Sequence, residues 1–168
     1  MKVILYMAMS VNGMIAKSNN DTSWISKKEW DSYSLAVREA GCLIVGRRTY
    51  EILTRQAEFA ELAGVKIVAV SSGDVPLVAP HHAIARSPQE ALDLLSGFER
   101  VIVAGGGTLN ASFLAENLVD EIYLDVEPIV IGNGIPLFRG KRFERNLRLI
   151  GQKGISKNEI QLHYEVSK

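Results

Sequence analysis

Cysteine is almost absent: Cys42 is the only one in 168 residues. A lone cysteine cannot close an intrachain disulfide, which excludes a disulfide-stapled extracellular domain and makes a cytoplasmic location the expectation. Histidine is scarce, limited to His81, His82 and His163. Three scattered histidines and one cysteine do not make a zinc-ligand pattern, so no metal is expected. An excess of either charge is missing too, because 19 Lys and Arg balance 19 Asp and Glu. The basic footprint of a protein that binds nucleic acid or an anionic membrane is therefore lacking. No apolar run reaches 18 residues, which excludes a transmembrane helix. The first six residues, Met1 to Tyr6, run straight into a strand-like segment and lack the apolar region of a signal peptide. The length fits one domain over residues 1–168, large enough to bury a full core.

What is present is strong punctuation by short apolar runs. Strands are predicted at Lys2–Met9, Cys42–Val45, Lys66–Val70, Ala83–Ala85, Val101–Ala104, Glu121–Val130, Arg145–Gly151 and Glu159–Val166. Helical periodicity falls at Lys27–Ala40, Arg48–Ala63, Pro88–Leu95 and Leu109–Glu116. Helices alternate with strands over two thirds of the chain, and the last third is all strand. That pattern predicts an α/β fold with a mixed, mostly parallel sheet of about eight strands, flanked by helices and closed by antiparallel C-terminal strands. Ser87-Pro88 reads as an N-cap followed by proline at the first helical position. Ser26 with Glu29 three residues later has the form of a capping box. Cys42, next to Leu43-Ile44-Val45, reads as a buried small hydrophobe rather than a nucleophile. His163 alternates to the face opposite Ile160, Leu162, Tyr164 and Val166. No histidine has an evident catalytic partner in the sequence.

The most informative segment is Val101-Ile102-Val103-Ala104-Gly105-Gly106-Gly107-Thr108-Leu109. Glycines between a buried strand and a helix let the backbone approach a bulky anion, since no Cβ intervenes. The helix start adds free N–H groups and the positive end of its dipole. The segment reads as a phosphate cradle or as a plain tight turn. It follows several earlier strands and does not fit G-x-G-x-x-G, so a dinucleotide site here belongs to a fold other than the Rossmann type.

Two more strands end in loops with anion-friendly chemistry. Val45-Gly46-Arg47-Arg48-Thr49 places a glycine, two arginines and a hydroxyl at a helix start. Ser71-Ser72-Gly73 offers hydroxyls, although such residues are equally common in turns. Ligands of open α/β sheets bind outside the carboxyl ends of the strands, so three such loops on one edge outweigh each alone. The Asn12-Gly13 pair after the first strand reads by itself as a simple hairpin turn.

These residues resemble the dihydrofolate-reductase-like superfamily, in particular the C-terminal reductase domain of riboflavin-biosynthesis deaminase/reductases. Ser10-Val11-Asn12-Gly13-Met14-Ile15-Ala16 is similar to that family's S-x-D-G-x-I-A segment. Gly46-Arg47-Arg48-Thr49-Tyr50-Glu51 is similar to the G-R-x-T-Y/W-E element of dihydrofolate reductases. Ala104-Gly105-Gly106-Gly107 matches the cofactor glycines, and Glu127 to Phe138 resembles a P-x-x-x-G-x-G-x-P-L-F stretch. The resemblance implies an NADPH-dependent reductase of a pyrimidine or pteridine-like heterocycle. Its first expected activity is that of a 5-amino-6-(5-phosphoribosylamino)uracil reductase, as a homodimer. It implies that Gly105, Gly106, Gly107, Thr108 and Leu109 hold the pyrophosphate. Gly46, Arg47, Arg48 and Thr49 would meet phosphates, Ser71 and Ser72 would lie near the adenosine, and Ala8, Ile15 and Ala16 would flank the nicotinamide. Asn12, Trp24 and Tyr33 are the expected substrate contacts, with a core aromatic as the other reading of Trp24. The chain departs from the family in carrying Asn12 for aspartate and Met14 for lysine. It lacks the D-x-P-x-L-x-x-R segment, and it lacks the H-x-E and P-C-x-x-C motifs of the deaminase half.

Dihydrofolate reductases place a carboxylate on the first helix, which here offers Glu29 and Asp31 as catalytic candidates. Trp30, Tyr33, Ala36, Val37 and Ala40 form one stripe. Glu29 lies within about 40° of its centre, and Asp31 is roughly opposite. Glu29 is therefore the better proton donor by position, and burial would raise its pKa. The capping box offers Glu29 a purely structural role instead. A true dihydrofolate reductase and a non-catalytic nucleotide-binding module are the rival readings.

Overall fold

In the computed structural model, which describes residues 1–167, the apolar runs become one eight-stranded sheet. The chain order is β1 (Lys2–Ser10), β2 (Met14–Lys17), α1 (Lys27–Ala40), β3 (Cys42–Gly46), α2 (Arg47–Leu53), a 3-10 turn (Ala57–Leu62), β4 (Lys66–Val70) and β5 (Ala83–Ala85). It continues with α3 (Pro88–Asp93), β6 (Arg100–Val103), α4 (Gly107–Ala115), β7 (Glu121–Glu127), β8 (Gly134–Pro136), β9 (Leu147–Gly154) and β10 (Ile160–Val166). The large sheet runs β5-β4-β3-β6-β1-β7-β10-β9. Its pairs are parallel from β5 through β7, and β7-β10 and β10-β9 are antiparallel.

Helices cover both faces, so strand residues are buried alternately in two cores. Val3 and Leu5 of β1 pack with Ile44, Val68, Val103, Leu109 and Phe113 on the α3/α4 side. Ile4 and Tyr6 pack with Val37, Leu43, Val45, Tyr50 and Ile102 on the α1/α2 side. Two-sided burial explains why these strands read as continuous apolar runs. Cys42 is fully buried, and burial pushes its thiol up to about 12. It is expected to resist alkylation by iodoacetamide at pH 8 in the folded protein and to react only after denaturation, as a mass-shift assay would record.

Several sequence expectations change in three dimensions. The predicted Arg48–Ala63 helix is two pieces, because the Thr54 hydroxyl donates to the Tyr50 carbonyl (2.9 Å) at the end of α2. The predicted Glu121–Val130 strand stops at Glu127, before Pro128, which has no N–H for a ladder. Asn12-Gly13 does not close a hairpin of β1 with its neighbour. β2 instead pairs antiparallel with the distant β8 in a separate two-stranded sheet. A Cβ on Gly134 would lie 2.6 Å from the Ala16 carbonyl, so glycine permits this approach. Strands β7 and β10 are interior, and the edges that need protection are β5 and β9.

Candidate active site

The strand order brings the ends of β3 and β6 side by side, although Gly46 and Gly105 are 59 positions apart in the chain. The Gly46 N–H donates to the Gly105 carbonyl (2.7 Å), and the Ala104 N–H donates to the Ile44 carbonyl (3.0 Å). Two glycine turns, each leading into a helix, therefore form one surface. Gly106 caps α4, and the amides of Gly107, Thr108 and Leu109 precede the first intrahelical donor, Asn110. A Cβ on Gly105 would stand 3.2 Å from Met7 Cε, and φ there is +84°. The positive φ favours glycine, and the flexible end of Met7 could yield to a Cβ.

This surface is one wall of a cleft of about 1400 Å³. Ligand pockets for one small molecule are about 300–1000 Å³, so there is room for two. Among the expected contacts, Ala8, Ile15, Ala16, Gly46, Arg47, Arg48, Thr49, Gly105, Gly106, Gly107, Thr108 and Leu109 all line it. Glu29 and Tyr33 line it from α1. Met7, Ala8, Ile15 and Ala16 provide an apolar wall between the glycine turns and α1.

Five expected site residues stand elsewhere. Asp31 is exposed and ion-paired with Lys27, on the solvent side of α1. Asn12 spends its amide on the chain: its Nδ2 donates to the Ile131 carbonyl (2.9 Å), and its Oδ1 accepts from the Ile131 N–H (3.1 Å). It pins the β1–β2 turn and does not line the cleft. Trp24 donates to the Asp21 carbonyl (3.2 Å) and does not line the cleft, whereas Trp30 does. Ser71 and Ser72 also lie outside its lining; Ser71 Oγ accepts from the Gly73 N–H (3.2 Å). That end is lined instead by Arg86, which donates to the Ser71 (3.0 Å) and Gly73 (2.6 Å) carbonyls. A Cβ on Gly73 would be 3.7 Å from an Arg47 guanidinium nitrogen, so Arg47 reaches the same corner. Arg86 and Arg139, which lines the cleft beside Gly107, escaped sequence reading because neither sits in a recognisable turn motif.

At the opposite end Glu29 is 4% exposed. Its N–H donates to Ser26 Oγ (3.0 Å), which is half of the capping box. The reciprocal half is missing, because the Ser26 N–H donates to Glu127 Oε1 (3.0 Å). Glu127 thus caps in place of Glu29, and no hydrogen bond to the Glu29 carboxyl is present among the described residues. Burial first, then the carboxylates of Asp125, Glu127 and Glu159, raise the Glu29 pKa well above the carboxylate range. Beneath it Tyr6 Oη donates to Asp125 Oδ2 (2.7 Å), and Gln161 Nε2 donates to Tyr6 Oη and to Asp125 Oδ1 (both 2.7 Å). Burial raises Asp125 as well. The outcome is a buried carboxyl of raised pKa at an apolar cleft wall, across from a glycine and arginine surface.

The histidines do have partners, all remote from this cleft. His82 Nδ1 is 2.8 Å from Tyr50 Oη, and His163 Nε2 is 2.9 Å from Glu121 Oε2. Among the described residues no cluster of metal-ligating side chains occurs. No helix there is long and apolar enough to cross a membrane.

Comparisons with known proteins agree with this fold. A family model described as the RibD C-terminal domain matches residues 1–159. The chain is 33% identical to the uncharacterized protein YwjB of Bacillus subtilis, over 97% of both chains. A putative riboflavin biosynthesis protein from Shewanella superimposes with a TM-score of 0.82, at 22% identity and 100% coverage of each chain. A pyrimidine reductase-like protein from Corynebacterium diphtheriae superimposes with a TM-score of 0.76, at 16% identity, covering 99% of this chain and 92% of its own.

Proposed function

The chain belongs to the RibD C-terminal domain family, and from that premise we propose that it is an NADPH-dependent reductase of a planar heterocycle of pyrimidine or pteridine type. The observation that carries this reading is the pairing of opposites in one cleft. Glycine turns and arginines lie at one end, and the buried, unpartnered carboxyl of Glu29 lies at the other.

The residues fit a dinucleotide. The pyrophosphate is assigned to the amides of Gly106, Gly107, Thr108 and Leu109, where the first-turn N–H groups and the dipole of α4 favour an anion. Arg47, Arg48 and Arg86 are assigned to the adenosine phosphates. Ala8, Ile15 and Ala16, each buried, form the wall for the nicotinamide. The cofactor supplies a hydride from its nicotinamide C4. The chain supplies the rest: a dry wall that excludes water, rigid positioning, and a proton on Glu29 for the ring nitrogen next to the reduced carbon. The Tyr6–Asp125–Gln161 network holds the floor under that proton. For the homodimer expected from the resemblance, the sheet leaves β9 as an unpaired edge with exposed Leu147, Leu149 and Ile150.

Titration calorimetry tests the cofactor assignment. NADPH is expected to bind more tightly than NADH. Arg47→Ala and Arg86→Ala are each expected to weaken NADPH about tenfold while leaving NADH nearly unchanged. Absence of binding by either nucleotide would refute the reductase reading.

A further inference from the structure

The cations of the cleft are unevenly placed. Among the described residues, those lining it are Lys27, Arg47, Arg48, Arg86 and Arg139. Arg47 and Arg48 follow β3, Arg86 follows β5, and Arg139 packs against Gly107 after β6. These four arginines therefore belong to the glycine end, where Arg47 pairs with Glu51 (2.9 Å), Arg86 pairs with Asp74 (3.1 Å), and Arg48 and Arg139 have no ion pair among the described residues. Lys27 alone stands at the Glu29 end, and carboxylates surround it: Asp31 pairs with it, Glu61 lies 3.8 Å away, and Glu58 also acts on it. Arg38, nearby on α1, is taken up by the same Glu61 (3.7 Å). Lys17 at the rim is paired with Asp21 (2.7 Å). Carboxyl groups are in excess there: Asp21 and Glu58 line the cleft with Glu29, and the buried Asp125 and Glu127 act on Glu29 from within.

A phosphate monoester carries nearly two negative charges at neutral pH and is held by arginines, lysines or clustered N–H donors. At the Glu29 end it would meet Asp21 and Glu58, and Lys27 already stands among Asp31, Glu58 and Glu61. We infer that the substrate of this cleft is a planar heterocycle that carries no phosphate, an inference that rests on the reductase reading above. A neutral ring with N–H donors suits the site, because the Glu29 oxygens can accept from it and the Trp30 and Tyr33 rings, 5.5 Å apart, can cover it. The heterocycle expected from the resemblance is retained, and its phosphoribosyl arm is not.

The test titrates the NADPH-saturated protein with 5-amino-6-(ribosylamino)uracil and with the 5′-phosphate of the same compound. The unphosphorylated form is expected to bind at least about tenfold more tightly. That gap should narrow between about 50 mM and about 500 mM salt, since screening weakens the repulsion. It should also narrow in the double variant Glu58→Gln/Glu61→Gln, which removes two of the negative charges around Lys27. Equal or tighter binding of the phosphate would overturn the inference and leave the reductase reading standing. Binding of NADPH with neither uracil bound would overturn the inference, ring class included. Failure of NADPH itself to bind would overturn the reductase reading and this inference with it.

Discussion

Replacing Glu29 by glutamine is expected to lower kcat by about 10²–10⁴-fold, the usual contribution of a positioned general acid, without weakening NADPH. The amide keeps the shape of the carboxyl and removes its transferable proton. In the wild type the rate should fall as pH rises through the Glu29 pKa, which burial and the carboxylates of Asp125, Glu127 and Glu159 hold above the carboxylate range. Glu29→Gln should lose that limb of the profile. A variant that keeps the wild-type rate and pH profile would move the proton source to water.

The same substitution has a stability signature of opposite sign. The folded protein keeps a proton on Glu29 that the unfolded chain releases near the ordinary value of 4.5. Between that value and the raised folded pKa, the folded state binds more protons than the unfolded one. Stability contributed by Glu29 is thus complete below about pH 4.5 and is lost as pH rises through the folded pKa. Glutamine has nothing to ionise. The Tm of Glu29→Gln is therefore expected to exceed that of the wild type at pH 8 and to converge with it near pH 4. Lower activity together with higher Tm would identify a residue kept for chemistry at the expense of stability.

The second large effect is expected at Gly107. Its place in the glycine run suggests a role toward phosphate, yet its nearest neighbour is the chain itself. A Cβ there would lie 2.3 Å from the Pro136 carbonyl and 3.5 Å from Arg139 Cβ. Pro136 cannot retreat easily. The Leu137 N–H donates to the Gly13 carbonyl (2.9 Å), Asn110 Nδ2 donates to the Leu137 carbonyl (3.0 Å), and the Arg139 N–H donates to the Gly107 carbonyl (3.0 Å). Gly107→Ala is expected to destabilise by about 1–3 kcal/mol or more. At roughly 2–4 °C per kcal/mol for a chain of this size, Tm should drop by several degrees or more in a thermal melt. The drop should appear with no nucleotide present. Gly132→Ala is the control, since a Cβ there meets nothing within 4 Å, and its Tm should stay at the wild-type value. An unchanged Tm for Gly107→Ala would mean that the β8 segment is free to move.

Much of this was legible in the linear sequence. Strands such as Lys66–Val70 and Ala83–Ala85, and the helix Lys27–Ala40, form where their periodicity predicts, because burial on two faces or one stripe leaves a regular apolar pattern. The glycine turns after β3 and β6 were visible for the same kind of local reason. The choice of Glu29 over Asp31 followed from helical angle alone, and the structure buries Glu29 while exposing Asp31. Arg86, Arg139 and Trp30 were not legible as cleft residues, and Asn12 and Trp24 were misplaced. Nothing local records which side of a loop a side chain will take.

The sequence by itself determined the α/β class, the element order and the chemistry at the carboxyl ends of the strands, since each depends on residues close together in the chain. Only the tertiary structure decided that β6 lies between β3 and β1, which joins the two glycine turns into one surface. It also decided that β2 pairs with β8, that Glu127 replaces Glu29 as the cap of α1, and that the arginines gather at one end of the cleft. Each of these outcomes depends on contacts between residues far apart in sequence. Such contacts are selected by the burial of whole faces, which no short stretch of chain encodes.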